Sequence, residues 1–283
     1  MARRLNIRQL LRKHGLRPKR SWSQSFLVDA AVLAEIAAAV EAKEHETVIE
    51  LGAGLGALTA LLARDAGRVV AVERDRDLAK VLRGELAGDS RIEILEANAA
   101  RLDYQALREG DEKLVVVGNL PYHMASQILF HLLGSRAHFS RCLLMFQKEM
   151  GQRIVSPPGS RIYGVLSVLV QMRADAELAL EIAPEAFFPV PAVRSQLLRI
   201  TPLSGLRHPV ADERLFAGLT RSLFARRRKM VRNGLRAFLH CDAGEASRIL
   251  ESCGIADDIR PERLSLAQLA RLSDLLAELG AGQ

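Results

Sequence analysis

The hydrophobic positions along this 283-residue chain change period repeatedly, and the changes divide it into strands and helices. Short apolar runs read as buried strands at Thr47–Leu51, Arg68–Glu73, Arg91–Leu95, Leu114–Asn119 and Arg141–Phe146. Helical stretches lie between them. Asp29 can cap one that runs to about Lys43, another covers Ala57–Asp65, and Asp75 can cap a third to about Leu86. A short helix near Tyr104–Arg108 and a longer one over Ala125–Leu133 complete the alternation. Strands and helices alternating at this spacing predict a doubly wound, mostly parallel α/β sheet. Beyond it come a loop at Ser156–Ser160, an apolar segment at Val165–Met172, and strands at Glu177–Ile182 and Ser195–Thr201 around the Pro-rich turn Phe187–Pro191. From about residue 205 strand signals stop and helical periodicity takes over, as in Arg263–Leu279. The expected organisation is a basic N-terminal arm over 1–22, an α/β domain over 23–204 and a small all-α domain over 205–283.

Two turns in this pattern carry chemistry. Glu50-Leu51-Gly52-Ala53-Gly54-Leu55-Gly56 follows a strand and opens a helix, and its glycines let backbone N–H groups approach a ligand closely. Glu73 ends the next strand, where an acid can accept hydrogen bonds from ribose hydroxyls. The pair indicates a nucleoside cofactor and by itself leaves open whether that is NAD or S-adenosylmethionine. The second turn is Asn119-Leu120-Pro121-Tyr122, at the carboxyl end of the fourth predicted strand, where open α/β sheets place their ligands. The Asn119 amide oxygen and the Leu120 carbonyl can both accept from one NH2 group, and the Tyr122 ring offers a face to a nucleobase. Such a turn suits an exocyclic amine and has no place in a nicotinamide site.

Composition narrows the partners. Lys and Arg total 40 against 33 acids, a net charge of +7 carried mostly by Arg. That balance suits phosphate and RNA. The Arg226-Arg227-Arg228-Lys229 run with Arg232 and Arg236 falls in the helical part, where it is expected to put cations around a helix. Three cysteines without C-x-x-C spacing argue against a disulfide framework or zinc site, and no metal is expected. No apolar run reaches the length of a membrane span and no secretory signal is recognisable, so a cytoplasmic, monomeric protein is expected.

Asn119–Tyr122 resembles the N-L-P-Y motif of the ribosomal RNA adenine N6-dimethyltransferases of the KsgA type, and Val48–Gly52 resembles the first methyltransferase motif. The resemblance extends over about residues 20–275. Gln24-Ser25-Phe26-Leu27 resembles Q-N-F-L, Gln147-Lys148-Glu149 resembles Q-K-E, Pro184–Ser195 resembles P-x-x-F-x-P-x-P-x-V-x-S, and Phe224–Leu235 resembles F-x-x-R-R-K-x-x-R-N-x-L. It implies a Rossmann-like S-adenosylmethionine-dependent methyltransferase sheet with a small C-terminal all-α domain. It also implies dimethylation of two adjacent adenines in a hairpin near the 3′ end of small-subunit (16S) RNA, on an assembling small ribosomal subunit. Gln24, Ser25, Leu27, Gly52, Gly54, Glu73, Asn98 and Asn119 would then hold the cofactor. Asn119, Leu120, Pro121 and Tyr122 would hold the target amine, with Phe187 flanking the base opposite Tyr122. Arg226, Arg227, Arg228, Lys229 and Arg232 would contact RNA.

Methyl transfer to an amine is an in-line displacement, so neither a protein nucleophile nor a tuned general base is required. The alternatives are a large-subunit (23S) adenine methyltransferase of the macrolide-resistance type, which more often has Ile after the Asn, and a non-catalytic assembly factor on the same fold. The chain departs from the family pattern at Ser23, Ser25, Asn98, Arg194 and His123-Met124. Ser23, Ser25 and Asn98 (usually Gly, Asn and Asp) surround the expected cofactor pocket, so weaker cofactor binding is expected.

Overall fold

The computed structural model of the protein describes residues 6–19, 22 and 24–280. Ser23 and the first residues of the basic arm lie outside the described residues. The chain runs α1 (Ile7–Lys13), β1 (Phe26–Leu27), α2 (Ala30–Val40), β2 (Thr47–Leu51), α3 (Thr59–Leu62), β3 (Arg68–Glu73) and α4 (Arg76–Leu86). It continues through β4 (Ile92–Glu96), β5 (Leu114–Asn119), α5 (Ala125–Gly134), β6 (Phe139–Gln147), α6 (Lys148–Val155) and α7 (Val165–Gln171). Strands β7 (Ala174–Ile182), β8 (Phe187–Phe188) and β9 (Ser195–Pro202) follow, then helices α8 (Glu213–Ala225), α9 (Val231–Leu239), α10 (Ala243–Ser252) and α11 (Leu266–Glu278).

Seven strands form one sheet in the order β4-β3-β2-β5-β6-β9-β7. The five from β4 to β6 are parallel, and β9 runs antiparallel to β6. The chain builds outward from β2 to β4, then returns to lay β5 against the other edge of β2. That reversal makes β2/β5 the switch point, where the two chain directions part and leave a crevice at the carboxyl ends. Val48, Ile49, Leu51 and Val115–Val117 are buried on both faces, which is why these strands read as unbroken apolar runs. Asp29 and Asp75 cap α2 and α4 as their positions predict, each side chain accepting from backbone N–H groups of the first turn.

The chain divides into two compact units, and their membership corrects the expected domains. One unit holds Met1–Gly151 with Ala176–Pro202, and the other holds Gln152–Asp175 with Leu203–Gln283. The segment Gln152–Asp175, expected in the α/β domain, therefore belongs with the C-terminal helices. Tyr163, Val168, Leu169 and Met172 share a buried cluster with Leu215, Phe216, Leu219 and Leu223. An apolar helix such as α7 announces that it is buried, but not against what. The arm is likewise more than a basic tether, because Ile7, Leu10 and Leu11 pack with Phe26, Leu55, Leu78 and Val81.

The cationic run also departs from expectation. Residues 226–229 form the turn between α8 and α9 rather than part of a helix. The cause is a close helix pair: a Cβ on Gly234 would stand 2.9 Å from Leu223 Cδ2 and 3.3 Å from Leu223 Cα, so α9 lies directly against α8. The chain must reverse within five residues to bring them together. The Lys229 N–H closes the turn on the Arg226 carbonyl at 2.7 Å, and the Val231 N–H reaches the Ile259 carbonyl at 2.8 Å. Among the described residues no helix is long and apolar enough to cross a membrane.

Candidate active site

Pairing in register sets the site. Leu51 of β2 stands opposite Gly118 of β5, so Gly52 and Asn119 emerge side by side at the switch point. Neither strand end leaves room for a side chain there. A Cβ on Gly52, which has φ 76°, would sit 3.0 Å from the Asn119 carbonyl oxygen, and one on Gly118 would sit 3.0 Å from Leu51 Cβ. A cavity of about 350 Å³ opens over this junction, within the range of small-molecule sites. Its walls include Gln24, Ser25, Leu27, Gly52, Gly54, Glu73, Asn98 and all of Asn119–Tyr122.

Asn119 is held in one orientation. Its Nδ2 donates to the Ser25 carbonyl at 3.1 Å, which turns Oδ1 the other way. Among the described residues no donor reaches Asn119 Oδ1 or the Leu120 carbonyl, so two acceptors are left at the turn. The Tyr122 hydroxyl and Ser195 Oγ lie 2.9 Å apart, which fixes the ring by its far end. Burial raises the Tyr122 pKa, so the phenol stays neutral.

The carboxylates of the cavity are dry. Glu73 Oε2 accepts from Gly54 N–H at 2.9 Å and Oε1 from Asp75 N–H at 2.8 Å. These bonds tie the glycine loop to the end of β3, and the remaining lone pairs can take up ribose hydroxyls. Burial pushes the Glu73 carboxyl up from the usual range. Glu50, 3 % exposed, lies beneath the loop and accepts from Thr59 Oγ1 at 2.5 Å. Burial, reinforced by the charge on Glu73, raises its pKa to about 8. The glycine loop and an acid at the end of the next strand that can take up ribose hydroxyls fit a nucleoside. Among the described residues no group of three or more His, Cys, Asp and Glu side chains could hold a metal ion.

The sequence model of the ribosomal RNA adenine dimethylases matches residues 15–278. The chain belongs to the ribosomal RNA adenine dimethylase family. It is 45 % identical over 282 residues to the ribosomal RNA small subunit methyltransferase A of Anaeromyxobacter sp. (strain K), covering 95 % of this chain and 97 % of that one. A dimethyladenosine transferase from Plasmodium falciparum shares the fold at a TM-score of 0.77 and 21 % identity, over 89 % of this chain and 97 % of that one. The 23S rRNA methyltransferase ErmE does so at 0.68 and 24 %, over 89 % and 99 %. As a ribosomal RNA adenine dimethylase the protein is a methyltransferase, and an acceptor pair for an amine beside a nucleoside cavity is the equipment that activity needs.

Not every residue expected in this dimethylase's site is free to act there. Phe187 is wholly buried, packed in the core with Ile182, Ala186 and Leu197, and it does not line the cavity. Its backbone pairs with Leu27, which turns the ring inward, while its neighbour Phe188 is half-buried under the Arg8 guanidinium. The expected second face for a target base is therefore absent from that position. Gln24 lines the cavity with both ends of its amide engaged: Oε1 accepts from Lys19 N–H at 2.8 Å and Nε2 donates to Asp75 at 2.9 Å. Its work is to clasp the arm. Ser25 Oγ donates to the Pro189 carbonyl at 2.7 Å, so this residue acts through its own carbonyl on Asn119. Asn98 caps a 3₁₀ turn, with Oδ1 accepting from Ala100 N–H at 3.1 Å. The oxygen expected to face the cofactor is thus already engaged, and the amide NH2 remains.

The cavity also has walls that the motifs do not mark. Trp22 stands between Lys19 Nζ, 5.3 Å from the ring centroid, and the Arg74 guanidinium at 4.9 Å. Arg74 reaches on to Met124 Sδ at 3.6 Å, linking the arm to the residues after Tyr122. The signal available in the sequence is that the chain's one tryptophan lies just before Gln24.

Two measurements check this description. Between about pH 5 and pH 8 the folded chain holds a proton on Glu50 that the unfolded chain has released, so stability falls as pH rises through that window. Glu50→Gln keeps an acceptor for Thr59, and melting temperatures across the window should lose much of this slope. Asn98→Asp keeps an oxygen for the Ala100 cap and adds a charged acceptor, which should tighten cofactor binding by about 1 kcal/mol, about fivefold. Calorimetric titration with S-adenosylhomocysteine reads this directly; no gain on restoring the acid contradicts the assignment.

Proposed function

We propose that the protein uses S-adenosylmethionine to dimethylate the N6 amines of two adjacent adenines in small-subunit ribosomal RNA, on an assembling small subunit. The small-subunit assignment is supported by what the relative at 45 % identity is called. When bound, the cofactor supplies an electrophilic methyl group on a sulfonium. The side chains around it position an amine and take up its hydrogen bonds.

The orientation of Asn119 is the observation that carries the reading. With Nδ2 spent on Ser25, Oδ1 and the Leu120 carbonyl can accept both N6 hydrogens of an adenine. Hydrogen bonds in those two directions favour a pyramidal nitrogen whose lone pair faces the cavity. Pro121 keeps the Leu120 carbonyl in place through its fixed φ. Tyr122 stacks on the base, which has to leave its own stack to reach it. Glu73 takes up the cofactor's ribose hydroxyls on its remaining lone pairs while it braces the glycine loop, and the Asn98 amide NH2 meets the cofactor base.

In the helical unit, RNA contact falls to the exposed cations of the α8–α9 turn, Arg226, Arg228 and Lys229. Two of the residues expected there are otherwise engaged. Arg227 donates to the Arg161 carbonyl, and Arg232 pairs with Asp257 at 2.8 Å.

Labelled S-adenosylmethionine with unmethylated small subunits, or with large-subunit RNA, decides between the readings once the label is mapped. The expected outcome is two adjacent labelled adenines in small-subunit RNA. Label only on large-subunit RNA favours the macrolide-resistance type, and tight subunit binding without label favours an assembly factor. Asn119→Ala should lower the rate by about 10²–10³, as loss of a preorganised hydrogen-bond partner does. Tyr122→Phe, which keeps the ring and loses only the Ser195 bond, should cost under about tenfold.

A further inference from the structure

Between β8 and β9 the run Pro189-Val190-Pro191-Ala192-Val193 is apolar, and all of it except Pro191 is exposed, Val190 at 58 % and Val193 at 43 %. Single exposed valines are ordinary on a protein surface; a run of apolar residues beside a binding cavity is not. Both ends of this run are fastened to cavity walls. At one end the Pro189 carbonyl accepts from Ser25 Oγ at 2.7 Å. At the other, Ser195 Oγ and the Tyr122 hydroxyl lie 2.9 Å apart. The Lys148 N–H, at the start of α6, adds a tie of 2.9 Å to the Arg194 carbonyl. Pro189 and Pro191 fix φ at their positions and leave the loop little freedom. None of residues 189–193 lines the cavity itself, so the run forms a lip at its edge.

The lip ends in a cation. Arg194 is one of the positions at which the chain departs from the family pattern, and its side chain is half exposed. Glu181 of β7 is the carboxylate beside it, and Lys148 Nζ holds that carboxylate at 3.1 Å. Arg194 reaches it only through Nε at 3.7 Å, outside hydrogen-bond distance. One carboxylate therefore faces two cations, and the Arg194 fork is left for an anion. The burial of Phe187 also leaves Tyr122 without the expected partner across the base, so other contacts that hold a nucleotide out of its stack have to come from the rim.

Resting on the adenine reading above, we infer that the lip seats the nucleotide next to the target adenine, its base against Val190 and Val193 and the intervening phosphate on Arg194. A base drawn out of its stack leaves its neighbour with one face bare. An apolar, preorganised surface beside the pocket covers that face at little entropic cost. The guanidinium fork matches the phosphodiester that joins the two nucleotides. Charge agrees with an RNA occupant, because no residue of Pro189–Arg194 is acidic, and the surface continues from the pocket that takes the target base. In a pair of adjacent target adenines, the one outside the cavity is the lip's occupant. Val190 and Val193 accept that base before and after its amine is methylated, since neither side chain makes a hydrogen bond that the methyl groups would remove. Val190, Val193 and Arg194 are positioning residues and touch no reacting atom.

The test uses the full-length protein and unmethylated small subunits. The three side chains are exposed, so Val190→Ser/Val193→Ser and Arg194→Gln should fold, which melting curves check. Arg194→Gln should raise KM for the subunit about tenfold, the loss of a charged contact. The valine pair should raise it about fivefold through lost apolar burial. In both, the effect should fall on KM rather than kcat, and S-adenosylhomocysteine should bind as before. Arg194→Lys, which keeps the charge, should recover part of the loss. A lowered kcat with KM kept would show that the loop only props Tyr122 through Ser195 and would overturn the inference, as would unchanged kinetics in the folded variants. If the unaltered protein methylates no small-subunit RNA, the adenine reading fails and this inference with it.

Photo-crosslinking reads the placement directly. With Val193→p-benzoylphenylalanine bound to small subunits in the presence of S-adenosylhomocysteine, irradiation should join the lip to one of the adenines that the methyl label marks or to a nucleotide next to them. A crosslink to a ribosomal protein, or to RNA far in sequence from those adenines, would assign the lip to another partner and overturn the inference.

Discussion

The parallel pairing of β2 with β5 is the constraint on which the site depends. Leu51 opposite Gly118 makes the next residues, Gly52 and Asn119, neighbours across the switch point. The approach is so close that neither Gly52 nor Gly118 tolerates a Cβ without displacing backbone or core atoms. A cofactor loop and an amine-holding turn, 67 residues apart in sequence (119 against 52), become one cavity through that register alone. A slip of one position would exchange the faces on which Val115, Val116 and Val117 pack and would carry Gly118 away from Leu51, so packing on both faces of the sheet enforces the chemistry's geometry.

Around this junction the polar groups are arranged by one another rather than by solvent. Ser25 presents its carbonyl to Asn119 because β1 is pinned to β8 and Ser25 Oγ is held by Pro189. Gln24 and Lys19 converge on Asp75, whose N–H in turn braces Glu73. The desolvation of Asp75 is outweighed by those donors, so its carboxyl is held below the ordinary range. The arm, the glycine loop and the Asn-Leu-Pro-Tyr turn therefore share one hydrogen-bonded frame, and a change in the arm is transmitted to Asn119 through Ser25.

Much of this was legible in the sequence, for a physical reason. Buried parallel strands are continuous apolar runs, and Asp29 and Asp75 sit where caps must sit, so the positions of the central strands and the two turns that follow them could be read directly. What could not be read is which way a side chain faces once tertiary partners compete for it. Phe187 and Phe188 are adjacent and chemically identical, and only pairing with β1 decides that Phe187 points into the core. Asn98 keeps an oxygen as its motif position suggests, yet the backbone of Ala100 claims it. The Arg226–Lys229 run has good helix formers, and the contact at Gly234 makes it a turn. The membership of α7 in the helical unit was hidden because burial of an apolar helix carries no label for its partner.

The account turns on Asn119 being oriented by a donor bond to Ser25 before any base arrives. Single-turnover methyl transfer by Asn119→Asp on unmethylated small subunits tests this most directly, because Asp keeps an acceptor oxygen and loses the donor. The account predicts a rate close to that of Asn119→Ala, since a carboxylate cannot donate to the Ser25 carbonyl and is repelled by it. A rate near that of the unaltered protein would show that the acceptor alone suffices and would contradict the orientation on which the account rests.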